Sequence, residues 1–126
     1  MNKNQPAVKS ISNSNEEHLF VKQRLKLLLN PTHTIDIPHG IGKITLRNRP
    51  LSLDEYKLGS SGTPEGEVLN VKTVITYIEH GEPVRLLDLI GVSYKVKVIT
   101  GSRIVEGYLA KGVGKQSTLK SIMQYR

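Results

Sequence analysis

Residues 92–110 read VSYKVKVITGSRIVEGYLA. In the first half apolar and polar residues alternate, with Val92, Tyr94, Val96 and Val98 on one face and Ser93, Lys95 and Lys97 on the other. That is the period-two pattern of a half-buried strand. Gly101-Ser102 interrupts it, and Arg103 to Ala110 returns. The stretch predicts a tight hairpin, and hairpins make their sheet antiparallel.

Two further segments extend this sheet. Thr32 to Ile37 alternates with Ile35 and Ile37 on one face, Pro38-His39-Gly40 supplies turn residues, and Ile41 to Arg47 comes back. Here Ile44 and Leu46 point inward, and Lys43, Thr45 and Arg47 outward, which predicts a second hairpin. Val68 to Glu79 is rich in β-branched residues and apolar on both faces in its second half. A strand buried on both faces belongs at the centre of a sheet.

Helix signals frame the strands. Ser14-Asn-Glu-Glu17 is a capping box, and Val21, Leu25, Leu28 and Leu29 follow at helical spacing as a buried stripe. Pro31 disfavours helical geometry at Asn30 and ends that helix. Ser52-Leu-Asp-Glu55 is a second capping box and predicts one or two turns over 51–58. Pro83 at a first helical position and Gly91 at a C-terminal cap predict a short helix over 83–90. A last helix is predicted over about 117–125, burying Leu119 and Ile122.

The fold class expected is α+β: a mostly antiparallel sheet built from two hairpins and a long central strand. An N-terminal helix and a C-terminal helix pack on one face. Residues 1–13 read as a flexible basic arm carrying Lys3 and Lys9, and 14–126 as a single domain. Residues 59–67, GSSGTPEGE, read as the loosest internal loop.

Length and composition bound the rest. A chain of 126 residues can bury one core without covalent staples. It has no cysteine, which excludes disulfides, thiolate metal sites and a cysteine nucleophile and suits a reducing, cytoplasmic setting. No apolar run approaches the roughly 20 residues that span a bilayer. The N-terminus lacks the apolar core of a signal peptide. The net charge of +7 is uneven. Residues 1–50 carry eight Lys/Arg and three Asp/Glu, residues 51–90 three and seven, and residues 91–126 seven and one. Basic ends around an acidic middle can present a face that attracts polyanions.

The candidate phosphate contacts are Lys22, Lys26, Lys43, Arg47, Lys95, Lys97, Arg103, Lys111 and Lys115. Lys95, Lys97 and Arg103 would make a basic two-stranded ribbon. With one Phe, five Tyr and no Trp, base stacking is scarce, which points to backbone contacts. Lys111-Gly-Val-Gly-Lys115 lacks the spacing of a phosphate loop, because Leu109 stands where its first Gly belongs and Gln116 where its Ser/Thr belongs. Followed by a helix, it would still offer an N-terminal anion site between Lys111 and Lys115.

Histidines carry the remaining chemistry. His33, Asp36 and His39 look like metal ligands, but on a strand residues three apart face opposite ways, so no metal is expected. No cofactor is expected either. His39 and His80 each precede a Gly at a strand end. Brought together they could act as general base and acid in RNA cleavage, with Lys43 or Arg85 stabilising the phosphorane.

Over Tyr94 to Ile122 the segments Gly101-Ser-Arg, Glu106-Gly-Tyr-Leu-Ala-Lys and Thr118-Leu-Lys-Ser-Ile resemble the SH3-like barrel of a bacterial large-subunit ribosomal protein. The resemblance covers under a quarter of the chain and rests on generic hairpin residues, so it assigns no family.

The leading expectation is a small, basic, non-enzymatic nucleic-acid-associated module. The alternative is a protein-binding accessory or inhibitory factor using the acidic 51–90 surface. A His-dependent ribonuclease stands third. None of the three calls for a membrane.

Overall fold

The computed structural model describes residues 19–60 and 71–122. Among these, the strands are β1 (His33–Ile35), β2 (Lys43–Arg47), β3 (Val74–Glu79), β4 (Pro83–Ile90), β5 (Ser93–Thr100), β6 (Arg103–Ala110), β7 (Gly112–Val113), β8 (Gln116–Ser117) and β9 (Leu119–Ser121). The helices are α1 (19–29) and α2 (Leu53–Ser60), and Val71–Thr73 forms a 3-10 turn. Seven strands make one sheet in the order β3-β2-β6-β5-β4-β1-β9, with every pair antiparallel, and β7 pairs β8 separately.

Connection length shows that this sheet is curled. β3 and β4 are joined by His80-Gly81-Glu82 alone, yet four strand spacings separate them. On a flat sheet that is about 19 Å. The chain from Glu79 to Pro83 spans at most about 14 Å. The sheet therefore wraps its β3 end toward β1. Gly81 N donates to Ile35 O at 2.8 Å, and Ile37 N donates to His80 Nδ1 at 3.2 Å. Ile35, Ile44, Leu46, Ile78, Val84, Val96, Val98, Leu109 and Leu119 then meet in one core.

The hairpin at 92–110 forms as its alternation requires, in register from Ser93↔Ala110 to Thr100↔Arg103, with Gly101 at φ 63°. Val96 and Val98 are buried and Lys97 is exposed. Ser93, expected outward, is fully buried, and its Oγ accepts from Leu51 N at 2.9 Å. The capping box at 52–55 is also present. Glu55 N donates to Ser52 Oγ at 3.2 Å, and Ser52 N donates to Glu55 Oε1 at 2.8 Å. Asn30, at φ 51°, closes α1 in the left-handed conformation common after a helix, its N donating to Lys26 O.

Other expectations are overturned. The strands of the second predicted hairpin do not pair with each other: β1 pairs β4 and β9, and β2 pairs β3 and β6. Residues 83–90 are strand β4, not a helix. Val84 and Leu86 enter the core side while Arg85 faces out, and a bulge between Leu86 and Asp88 hid that alternation. The long central strand is shorter, 74–79, and ends the sheet order; Ile75 and Tyr77, which made it look buried on both faces, are 40% and 48% exposed.

No C-terminal helix exists among the described residues. Leu119 instead enters the core opposite Ile35, and buried Thr118 bonds Lys111 O through N and Ala110 O through Oγ1. These long-range strand partners override a weak helical pattern that lacks a cap. The expected pair of helices packed on one face is therefore lost. α1 sends Leu29 into the interior and half-buries Leu25, but Val21 and Leu28, expected in its stripe, are exposed. The capping box at 14–17, the arm 1–13 and residues 61–67 of the expected loop lie outside the described residues, while the loop's first two residues, Gly59 and Ser60, belong to α2.

Candidate functional site

The basic residues divide by what their neighbours do to them. Alternation predicted Arg47 on the exposed outer face, yet it is 4% exposed. The register shifts between Leu46 and Arg47, and Asn48 N bonds Thr73 O, so the 71–73 turn lies alongside. Arg47 Nη1 donates to Thr73 Oγ1 at 2.7 Å, and desolvation is the main cause that lowers its pKa. This side chain is structural. Lys95 sits 3.6 Å from Glu106. Lys43 places Nζ 5.0 Å from the Tyr77 ring centroid, a cation–π contact. Lys22, Lys26, Arg103, Lys111 and Lys115 are exposed, but the anion site expected between the last two loses its basis, because β7 and β8 replace the helix.

Tertiary structure assembles a different group. Thr34 stands opposite Lys120 and Pro83, and Arg85 opposite Lys97. Period-two alternation puts Lys120, Arg85 and Lys97 on the same outer face of β9, β4 and β5. Arg85 Nη1 donates to Asn30 O at 2.9 Å. That bond holds the end of α1, with Lys26 one turn back, beside the strand face. Sequence reading missed Lys120 and gave Arg85 another role, because both lay in segments taken for helix. A period-two reading of Pro83-Val-Arg-Leu and Thr118-Leu-Lys-Ser would have found them.

Arg49 and Glu55 form a bidentate pair, Nη1–Oε1 2.9 Å and Nη2–Oε2 2.7 Å. That hydrogen bonding, with the Ser52 N–H bond, lowers the Glu55 carboxyl to about 2. The pair ties the chain leaving β2 to the start of α2.

The two turn histidines share a cleft. Ile37, Pro38, His39, Gly40, Gly42 and His80 line a space of about 430 Å³. His80 Nδ1 accepts the Ile37 N–H, so the neutral ring carries its proton on Nε2. His33, by contrast, lies on β1 beside Thr32 Oγ1 at 2.8 Å, and burial lowers its pKa. Among the described residues no group of three or more His, Asp or Glu is placed to hold a metal ion, and no helix is long and apolar enough to cross a membrane. No protein-family model, no curated protein and no solved structure matches this chain.

Proposed function

We propose that this protein is a small basic module that associates with nucleic acid through the phosphate backbone, without catalysis. The observation that carries the reading is the Arg85–Asn30 bond, which joins the basic end of α1 to the outer face bearing Arg85, Lys97 and Lys120. Arg85 and Lys97 stand directly opposite each other, with Glu106 opposite Lys97 on β6 and Asp88 opposite Lys95 as the carboxylates of that face. A polyanion adds negative charge beside Arg85, Lys97 and Lys120 and releases its own counterions on binding.

Binding is expected to weaken steeply with salt and to discriminate little between sequences. Fluorescence anisotropy with labelled DNA and RNA at two salt concentrations measures it. Replacing Arg85, Lys97 and Lys120 by Glu should each reduce the salt slope by about 1 where a phosphate contact is lost. Lys95→Glu should do less, because Glu106 already engages Lys95. Absence of binding to either nucleic acid at low salt overturns the reading.

A second reading has its own support. Val71, Ile75, Tyr77, Leu87, Leu89 and Ile90 are exposed within the otherwise acidic stretch 51–90. Exposed apolar groups of this kind favour a protein-binding accessory or inhibitory factor. Affinity for such a partner would survive high salt.

A further inference from the structure

We infer that the cleft between the 37–42 loop and His80 is a pocket for one unstacked nucleobase. This deepens the nucleic-acid reading and rests on it. Four features lead there. The space, about 430 Å³ and half open to solvent, has room for one planar ring. The walls combine Pro38 with two imidazoles, the Ile37 side chain being buried in the core beneath, and unstacked bases are held by stacking on planar side chains, His among them.

The third feature is a defined donor. The Ile37 N–H occupies His80 Nδ1, which leaves Nε2–H as the hydrogen-bond donor of the neutral ring for a base carbonyl or ring nitrogen. The fourth is an open rim. Gly40 and Gly42 have positive φ, 98° and 86°, and a Cβ at either would meet nothing within 4 Å. Those conformations favour glycine, and bare backbone there lets a ligand approach. Lys43 follows Gly42 directly and is exposed. It stands opposite Glu79 in the strand register, but its Nζ lies over the Tyr77 ring. The cleft thus supplies apolar surface, two imidazoles and one oriented donor, which together suit a base, and Lys43, next in the chain after Gly42, is the cation its phosphate would have to draw away from Tyr77.

The test follows the imidazole C–H resonances of the full chain by NMR during titration with nucleoside 5′-monophosphates, with short homopolymeric single strands and with inorganic phosphate. His39 and His80 should shift together and saturably with mononucleotide, while His33, away from the cleft, stays put. Tighter saturation by the single strand would identify the polymer as the source of the base; equal affinity would identify the free nucleotide. Either supports the pocket. His39→Ala should weaken mononucleotide binding fivefold or more. His80→Ala also removes the Ile37 contact, so His80→Asn, which keeps an acceptor, is measured beside it and should lose affinity with an unchanged thermal transition.

Single strands that bind with steep salt dependence while His39 and His80 stay unmoved would overturn the pocket and leave the backbone reading intact. Inorganic phosphate moving both rings as far as mononucleotide would also overturn it, in favour of a plain anion site. Mononucleotide binding without any affinity for strands would support the pocket and overturn the backbone reading instead.

Discussion

Residues 32–47 and 92–110 look alike in sequence: two alternating runs around a glycine-containing turn. Only the second is a hairpin. The difference lies in the connection. Gly101-Ser102 joins β5 to β6 so tightly that Thr100 and Arg103 are register partners. The path from Ile35 to Lys43 has seven residues and two positive-φ glycines, which is long enough for β1 and β2 to go to different partners. A two-residue turn dictates its own pairing, whereas a longer link leaves pairing to whichever strands bury the most apolar surface.

If that is right, the second region should depend on local chemistry and the first on distant contacts. Leu46 on β2 is fully buried, and Leu46→Ala should cost about 2–5 kcal/mol in chemical denaturation. Gly107 on β6 tests the same contact from the other side. A Cβ there would meet Leu46 Cγ at 2.8 Å and Arg47 O at 2.9 Å, and the backbone oxygen cannot step aside cheaply. Gly107→Ala should cost about 1–3 kcal/mol. The double variant should lose less than the sum, because removing Leu46 relieves half the clash. Strict additivity would break the claim that β2 packs on β6 at this point.

The hairpin turn should respond at intermediate size. Gly101→Ala, forced to keep φ near 63°, should cost about 1–2 kcal/mol. Inserting two residues between His39 and Gly40 should cost only about 0.2 kcal/mol, the loop-closure increment. Equal losses from the two changes would show that 36–42 is as constrained as the hairpin turn.

Charge sharpens the comparison further. The Glu55 carboxyl, lowered to about 2, holds the chain after β2. Its contribution to stability is complete above about pH 4.5 and is lost as pH falls toward 2, since the unfolded chain takes up its proton first. Glu55→Gln should flatten stability against pH in that window. His33 gives the smallest effect. Burial lowers its pKa from 6.5, so the unfolded chain binds the proton more readily and stability should decline slightly as pH drops below 6.5. His33→Gln should remove that slope.

Legibility followed the range of the signal. The capping box at Ser52–Glu55 and the stop at Asn30 were readable because their partners are within a few residues. β4 was not, because Pro83 and Gly91 are as good punctuation for a strand as for a helix and a bulge masked the alternation. The candidate site suffered in the same way. Lys97 was found on a clean strand, Arg85 and Lys120 were misplaced with their elements, and Arg47, expected on an exposed outer face, is buried against Thr73.

The sequence by itself determined an antiparallel sheet, the β5–β6 register, the α2 cap and a cation-rich surface, since alternation, a two-residue turn, an i to i+3 hydrogen-bond pair and net charge are all local or additive. Tertiary structure alone decided which strands neighbour one another, that the sheet curls, that Arg47 is covered while Arg85 meets Lys97 and Lys120, and that His39 and His80 share a cleft. Each of those depends on surfaces far apart in the chain competing for burial, and no window of neighbouring residues records the winner.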